Sequence, residues 1–285
     1  MILITGATGN VGSELVNQLD KQGLSLRVVT RDLRKVAKLN ERIERVEGEL
    51  SDPEVARRAV AGVQSIFLFP VVTESDHKSV ATLLKAAKEA GVQHVVMLSS
   101  LGAQAPKGTN KIGELHREKE LLVEQSGIPW TFLRPGAFMS NSFQWLPTIK
   151  EQGKVFNPTG DGKLAPISPK DIAAAAAVAL LRPELMGEIR TLTGPELLDA
   201  KQQVEILSRV LGQKLECVDV EPGVVASQFK STGAPAFLAD GLSQMWATVK
   251  EGKVALQTKD LEQLTGNKGQ KFEAWCKEHA QDFLN

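Results

Sequence analysis

The chain has 285 residues, 42% of them hydrophobic, and its 34 Lys and Arg residues are balanced by 34 Asp and Glu residues. This balance argues against a surface built for nucleic acid or for an anionic membrane, and the apolar fraction suits a protein with a sizeable core. The only cysteines, Cys217 and Cys276, are too few for a disulfide framework and lack the spacing of metal ligands. We therefore expect a soluble protein without a metal site.

The N-terminal half alternates short apolar runs with stretches of helical periodicity. Because continuous apolar strands that alternate with helices form βαβ units, this half predicts a parallel sheet covered on both faces. A strand that starts at residue 2 leaves no room for a signal peptide, and the longest apolar run, 172–181, is too short to span a bilayer. A cytoplasmic protein is therefore expected. The predicted strands are 2–5, 24–30, 43–50, 64–70, 93–100 and 129–135.

A glycine-rich turn, TGATGNVGSELV, follows the first strand and has the spacing G-x-x-G-x-x-G. Its position before a helix is typical of dinucleotide-binding turns, although glycines that form a turn without a ligand are the alternative. Gly6 permits the tight turn, Gly9 lets the backbone approach a pyrophosphate, and Gly12 lets the helix pack close to the sheet. The N–H groups at the start of the helix then face the phosphates. The residues predicted to bind the cofactor are Gly6, Thr8, Gly9, Asn10, Val11 and Gly12.

The end of the second predicted strand reads VVTRDLRK, and it bears on the choice of nicotinamide cofactor. Arg31 lies where NAD-binding proteins place an acid, and an arginine there suits the 2′-phosphate of NADP. Lys35 lies about one helical turn further on. Asp32 is expected to cap the short helix that follows. We predict NADP(H) as the cofactor, bound by Arg31 and Lys35, and the alternative for Arg31 is a solvated surface charge.

Two further strand ends lie at the carboxyl edge of the predicted sheet, outside which ligands bind in open α/β folds. Phe69 and Pro70 end the fourth strand and are predicted to line the cofactor cleft, although core and turn packing explain them equally well. Ser99 and Ser100 end the fifth strand. Their hydroxyls serve either a ligand or the backbone at the strand end.

The stretch IGELHREKELL, residues 112–122, predicts a helix that carries His116 and Glu120 on one stripe. In one interpretation His116 is a donor to the nicotinamide ribose or to a reduced oxygen and is held by Glu120. In the other, the two residues form a surface pair without a ligand. The spacing alone fits both interpretations.

The pattern weakens beyond residue 135. We predict an NADP-binding domain over 1–135, to which later segments return, and a substrate-binding region over 136–285. Phe143 and Trp145 offer aromatic surface on which a planar substrate could stack, although core packing also explains them. Residues 223–266 are predicted to be mostly helical and could cover the pocket.

Several motifs together resemble an atypical short-chain dehydrogenase/reductase of the NmrA-like group: LITGATGNVGSELV, VVTRD, GVQHVVMLSSLGA, HREKELLVEQSGIPWTFLRPGAFMSN and GDGKLAPISPKDIA. The resemblance is strong up to about residue 175. It implies a Rossmann-type doubly wound parallel sheet with a smaller C-terminal α+β substrate domain. It also implies similarity to NADPH-dependent quinone oxidoreductases and triphenylmethane-dye reductases. The same group includes regulators that bind a dinucleotide and need no chemistry.

The helix at 112–122 departs from the pattern of the wider superfamily. Extended members carry Y-x-x-x-K there, followed four residues later by a glutamate. Aligning Glu120 with that glutamate puts His116 at the lysine position and Ile112 at the tyrosine position, and the chain contains no tyrosine at all. The H-x-x-x-E pattern resembles the NmrA-like reductases, and the superfamily also implies a substrate-facing serine at Ser99. The missing phenol favours acceptors that need only a hydride at first, such as quinones or cationic dyes.

Two functions therefore remain open. The first is an NADPH-dependent reductase of a small planar acceptor, with His116 and Ser99 as catalytic residues, acting as a monomer or homodimer. The second is an NAD(P)-sensing regulator without turnover. The sequence does not identify the acceptor.

Overall fold

The computed structural model describes residues 1–71, 73 and 76–284. The strands are β1 (Ile2–Ile4), β2 (Leu26–Thr30), β3 (Glu44–Glu47), β4 (Ser65–Leu68), β5 (His94–Leu98), β6 (Trp130–Pro135), β7 (Lys154–Asn157), β8 (Ile189–Leu192) and β9 (Glu216–Asp219). The helices are α1 (Asn10–Lys21), α2 (Pro53–Val60), α3 (Asp76–Glu89), α4 (Lys111–Ser126), α5 (Leu146–Gln152), α6 (Pro169–Leu181), α7 (Ala200–Leu211), α8 (Pro222–Ser231), α9 (Ala236–Lys250), α10 (Asp260–Thr265), α11 (Phe272–Glu278) and α12 (Ala280–Leu284).

Seven strands form one sheet in the order β3-β2-β1-β4-β5-β6-β8, and β7 pairs with β9 in a second, two-stranded sheet. The first six strands of the large sheet pair in parallel, with Ile2 opposite Leu26 on one side and Ser65 on the other. The strand order reverses between β1 and β4, which is the switch point where dinucleotides bind in doubly wound sheets. The predicted Rossmann-type fold is confirmed.

The apolar runs of the sequence explain why these strands lie in the centre of the sheet. Every residue of β1 and β5 is buried, as expected for strands covered by helices on both faces. Helix α1 buries Val11, Leu15 and Leu19 along one stripe. The continuous apolar runs therefore correspond to strands that are buried on both faces, and the helical period corresponds to a helix that is buried on one face.

The chain divides into two compact units, each built from several segments: the first unit contains residues 1–104, 113–135 and 169–191, and the second contains residues 105–112, 136–168 and 192–285. In the first unit the amide of Gln18 on α1 donates to the carbonyl of Lys170 at 3.1 Å. Helix α6 therefore belongs to the same compact unit as the seven-stranded sheet, although it follows residue 135 in the sequence.

The second unit has its own aromatic core. Trp275 is 2% exposed, and its ring lies 5.2 Å from that of Phe143 and 5.9 Å from that of Phe272, between ring centroids. Phe143 also lies 5.0 Å from Phe283. These contacts support the packing interpretation of Phe143, because its ring faces other core side chains.

No helix in the described ranges is long and apolar enough to cross a membrane. Within the same residues, no group of three or more His, Cys, Asp or Glu side chains could hold a metal ion.

Candidate active site

The three glycines of the turn between β1 and α1 have different structural roles. Gly6 has a φ of +66°, a conformation that favours glycine. A Cβ on Gly12 would lie 2.1 Å from the carbonyl oxygen of Gly6, so the turn itself excludes a side chain there. A Cβ on Gly9 would lie no nearer than 3.4 Å to any atom of the fold. The space in front of Gly9 is therefore a cradle that a side chain could fill, as a pyrophosphate site requires.

The start of α1 suits an anion. Gly9 is the N-cap residue and none of the described side chains caps the helix, so the positive end of the helix dipole is available to an anion. Thr8 and Asn10 are exposed beside it, whereas the side chain of Val11 is 3% exposed and belongs to the core. Val11 can therefore reach a ligand only through its backbone. The turn fits the diphosphate of a dinucleotide.

At the end of β2, the carboxylate of Asp32 is engaged by its own neighbourhood. It accepts the backbone N–H of Arg34 at 3.0 Å, and it binds the Arg34 guanidinium at 2.9 and 3.0 Å. The Arg34 side-chain hydrogen bond lowers the pKa of Asp32. The predicted capping role of Asp32 is confirmed. Arg31 and Lys35 are exposed at this strand end.

The end of β4 lies directly against the glycine turn. A Cβ on Gly6 would lie 2.8 Å from Cδ1 of Phe69, so the ring of Phe69 covers Gly6. The backbone N–H of Phe69 donates to Oγ1 of Thr5 at 2.8 Å. Phe69 remains 37% exposed, whereas Pro70 is buried. The geometry thus brings Phe69 and the glycine turn together at the switch point of the sheet.

His116 on α4 is buried, with only 8% exposure, and its Nδ1 has no hydrogen-bond partner in the described part of the chain. Burial and, to a lesser extent, the charge of Lys119 lower the pKa of His116 to about 4, against the opposing effect of Glu120. A buried nitrogen without a partner is costly, and it points to a partner that the described residues do not supply. The surface-pair interpretation of His116 and Glu120 was wrong, because both residues are buried.

Glu120 is fully buried and does not hold His116, contrary to the other interpretation. Its carboxylate accepts from Nε and Nη2 of Arg134 at 2.9 and 2.7 Å, and from Nη1 of Arg117 at 2.9 Å. Burial raises the pKa of Glu120, but the hydrogen bonds from Arg134, Ser99 and Arg117 outweigh it and hold that pKa below its usual value. Hydrogen bonds from a charged guanidinium are stronger than those from a neutral imidazole. The Glu120 carboxylate therefore binds the two arginines and not His116.

Ser99 at the end of β5 completes this group. Its hydroxyl donates to Oε1 of Glu120 at 2.6 Å, so its single proton is engaged and it can offer a ligand only lone pairs. We call Ser99, Arg117, Glu120 and Arg134 the Glu120 cluster. The sequence analysis missed the contribution of both arginines. The available signal was Arg134, a charged residue one position before the end of a mostly apolar strand.

The model of a family described as NAD(P)H-binding matches residues 6–183. The chain belongs to this family. The matched range contains the glycine turn, the end of β2 and the Glu120 cluster. The predicted resemblance to dinucleotide-dependent reductases is confirmed.

Curated relatives cover nearly the full length of the chain. It is 32% identical to the NAD(P)H azoreductase of Xenophilus azovorans, over 99% of both chains. It is 36% identical to the (4-alkanoyl-5-oxo-2,5-dihydrofuran-3-yl)methyl phosphate reductase of Streptomyces griseus, again over 99% of both. Quinone oxidoreductase 2 of Escherichia coli is 29% identical over 94% of both chains.

Solved structures agree in fold. An NADPH-dependent quinone oxidoreductase from Escherichia coli, complexed with NADPH, superposes with a TM-score of 0.86 over 100% of both chains at 27% identity. The triphenylmethane reductase of Citrobacter sp. gives 0.83 at 22% identity, over 98% of this chain and all of the other. The latter likeness concerns the fold alone.

Ile112, which aligns with the superfamily tyrosine, contacts Gly241 of α9, and both residues belong to the second unit. A Cβ on Gly241 would lie 2.8 Å from Cγ1 of Ile112, so the two residues are in close contact. Aliphatic packing therefore occupies the position that aligns with the superfamily tyrosine.

Proposed function

We propose that this chain is an NADPH-dependent reductase that delivers hydride to a small conjugated acceptor with a quinone, azo or enone group. One observation carries the proposal: relatives spanning the whole chain are named as reductases of an azo compound, a quinone and an unsaturated oxo-furan. These acceptors share a polarised double bond that takes up a hydride and then a proton. A planar molecule of this class fits the predicted partner.

The cofactor is held mainly by the glycine turn. The cradle at Gly9 and the uncapped start of α1 receive the diphosphate. Arg31 and Lys35 give the preference for NADPH over NADH, because Asp32 is committed to Arg34 and does not compete for the ribose. Phe69 and Pro70 bound the cofactor at the end of β4.

When bound, the reduced nicotinamide supplies the hydride. The chain orients its partners and supplies or relays the proton. His116 is neutral near pH 7, so its buried Nδ1 acts as a hydrogen-bonding group for the cofactor or for the reduced acceptor, and the imidazole is not a cationic acid. Ser99 accepts a hydrogen bond from the ligand because its own proton is given to Glu120. The final proton then comes from water or through His116.

The regulator alternative has weaker support. An NmrA structure superposes with a TM-score of 0.80 at 18% identity, and this likeness shows the fold alone.

We place the reductase in the cytoplasm, where NADPH is supplied.

The test is the rate of NADPH oxidation with a panel of quinones, azo dyes, triphenylmethane dyes and simple ketones. We expect the conjugated acceptors to accelerate oxidation well above background and simple ketones to do nothing, because no phenol protonates a carbonyl. Tight NADPH binding without any turnover across the panel would make the regulator the better account.

A further inference from the structure

Lys119 on α4 is 1% exposed, although lysine almost never lies so deep unless it is paired. Its ammonium donates to the carbonyl oxygen of Thr73 at 3.2 Å and to that of Leu115, within α4, at 3.3 Å. Burial lowers the pKa of Lys119, whereas the charges of Asp76 and Glu118 oppose this shift. None of the chemistry assigned above to the reductase uses this ammonium.

The ammonium of Lys119 contacts the segment that follows β4. We define the post-β4 segment as Phe69, Pro70, Val71 and Thr73. Its first residue is tied to the glycine turn through the bond from Phe69 N–H to Thr5. Its middle is tied to α3, because Val71 N–H donates to Oδ2 of Asp76 at 2.8 Å.

The far end of the post-β4 segment is tied to α4 by Lys119. Thr73 N–H donates to the carbonyl of Val71 at 2.9 Å, and the carbonyl of Thr73 accepts from Lys119. The same segment begins with the ring that covers Gly6. Lys119 thereby connects the helix of His116 with the turn that receives the diphosphate.

We propose that Lys119 is a positioning residue for the dinucleotide: by binding Thr73 it fixes the post-β4 segment, and so it keeps Phe69 in place over the glycine turn. The inference rests on the proposed function only in taking NADPH as the ligand of that turn. Because the segment is already ordered before NADPH binds, binding does not include the entropy cost of ordering it. Preorganisation of this kind raises affinity. On this proposal the buried ammonium contributes to NADPH affinity.

Lys119→Met tests the effect on affinity. Methionine has a similar length but leaves the charge of Asp76 and the carbonyl of Thr73 without the ammonium, so the fold should also lose some stability. The bond to Thr73 is lost. Since a hydrogen bond from a charged group is typically worth about 1.5–3 kcal/mol, full loss of the preorganisation corresponds to a drop in NADPH affinity of about 10–100-fold.

Lys88→Met is the matched control. Lys88 also donates from Nζ to a backbone carbonyl, that of Gly127, at 3.0 Å, but at the surface and far along the chain from the turn. Three quantities are measured for both variants without any acceptor. They are NADPH affinity from tryptophan fluorescence, the free energy of unfolding in urea, and hydrogen exchange at the Phe69 amide.

We expect Lys119→Met to stay folded with some loss of stability, to lose NADPH affinity and to exchange faster at Phe69, while Lys88→Met matches wild type in all three. Wild-type affinity in Lys119→Met overturns the proposal, and so does a loss of stability without a loss of affinity. Slow, wild-type exchange at Phe69 overturns it even if the chain were to bind no NADPH. If NADPH binds but no acceptor is reduced, the reductase proposal fails and the three measurements still decide on Lys119.

Discussion

The glycine turn and the Glu120 cluster are both polar sites at the carboxyl edge of the same sheet, but they are built in opposite ways. The turn is a backbone device whose residues lie within seven positions of each other, from Gly6 to Gly12. The cluster is a side-chain device that joins Ser99, Glu120 and Arg134, which are up to 35 positions apart. The turn leaves its binding groups open to a ligand, whereas the cluster satisfies its own carboxylate completely.

This difference distinguishes a turn that can bind a ligand from a cluster that stabilises the fold. The cradle at Gly9 gains its partner only when a dinucleotide arrives. Glu120 has its partners already, and it fixes α4 to the ends of β5 and β6. His116 lies between the two cases, because it is buried and yet its Nδ1 has no hydrogen-bond partner among the residues that the structure describes. The five predictions that follow test this difference, and they are ordered by the size of the expected effect.

Gly9→Val should abolish NADPH binding and leave the fold intact. The backbone at Gly9 has φ −87° and ψ 172°, which valine adopts, and a Cβ there meets no atom closer than 3.4 Å. The branched side chain fills the place of the pyrophosphate. Titration of tryptophan fluorescence with NADPH measures the loss of binding, and thermal unfolding shows whether the fold is intact.

Two other glycines serve as controls for this variant. Gly12→Ala should destabilise the fold itself, because its Cβ meets the Gly6 carbonyl at 2.1 Å, and Gly223→Ala, with open space around it, should change neither property. If Gly9→Val binds NADPH like wild type, the phosphates lie elsewhere.

Glu120→Ala should lower the free energy of unfolding by about 3–5 kcal/mol, because it leaves Arg134 buried without a counter-charge. Glu124→Ala removes a half-buried partner of Arg117 and should cost at most about 1 kcal/mol. Urea denaturation of both variants measures the difference. Equal losses in the two variants would mean that burial of the cluster does not matter.

The same carboxylate predicts a dependence on pH. The pKa of Glu120 is held below 4.5 in the folded chain, so its stabilising effect is complete above that value and is lost as the pH falls through the folded pKa. The stability gap between wild type and Glu120→Gln should therefore shrink on acidification below pH 4.5. A gap that stays constant into the acid range contradicts the assignment.

Arg31→Ala should reduce the preference for NADPH over NADH by about 1.5–3 kcal/mol, roughly 10–100-fold, because the charge-assisted contact to the 2′-phosphate is lost. Arg57→Ala is the control, since Arg57 is an exposed arginine on α2 that is paired with Glu54 and should contribute nothing to the preference. Affinities for both nucleotides are measured by the same titration. A preference that survives in Arg31→Ala moves the phosphate contact to another residue.

His116→Ala should lower kcat about tenfold or less with NADPH affinity little changed, because a neutral hydrogen-bonding group contributes roughly 0.5–1.5 kcal/mol. The wild-type rate should also be flat from neutral pH down towards the His116 pKa of about 4, below which the neutral imidazole is lost. Steady-state rates with a quinone across pH test both statements. A loss of about 10²–10⁴-fold would instead make His116 the general acid.

The features that could be predicted from the sequence are those that local patterns encode. Apolar runs with a helical period between them predicted the parallel sheet, and the spacing of Gly6, Gly9 and Gly12 predicted the turn, because both depend on neighbours along the chain. The cap at Asp32 was predicted for the same reason. The absence of tyrosine is a fact of composition that no fold can change.

The tertiary structure alone decided the partners of the charged residues on α4. Helical spacing put His116 and Glu120 together, but burial beside β5 and β6 gave Glu120 to Arg134, Arg117 and Ser99 instead. A helix stripe shows which side chains point the same way and does not show which distant strand end meets them. Burial also determined that His116 is neutral, because desolvation depends on packing and not on sequence neighbours.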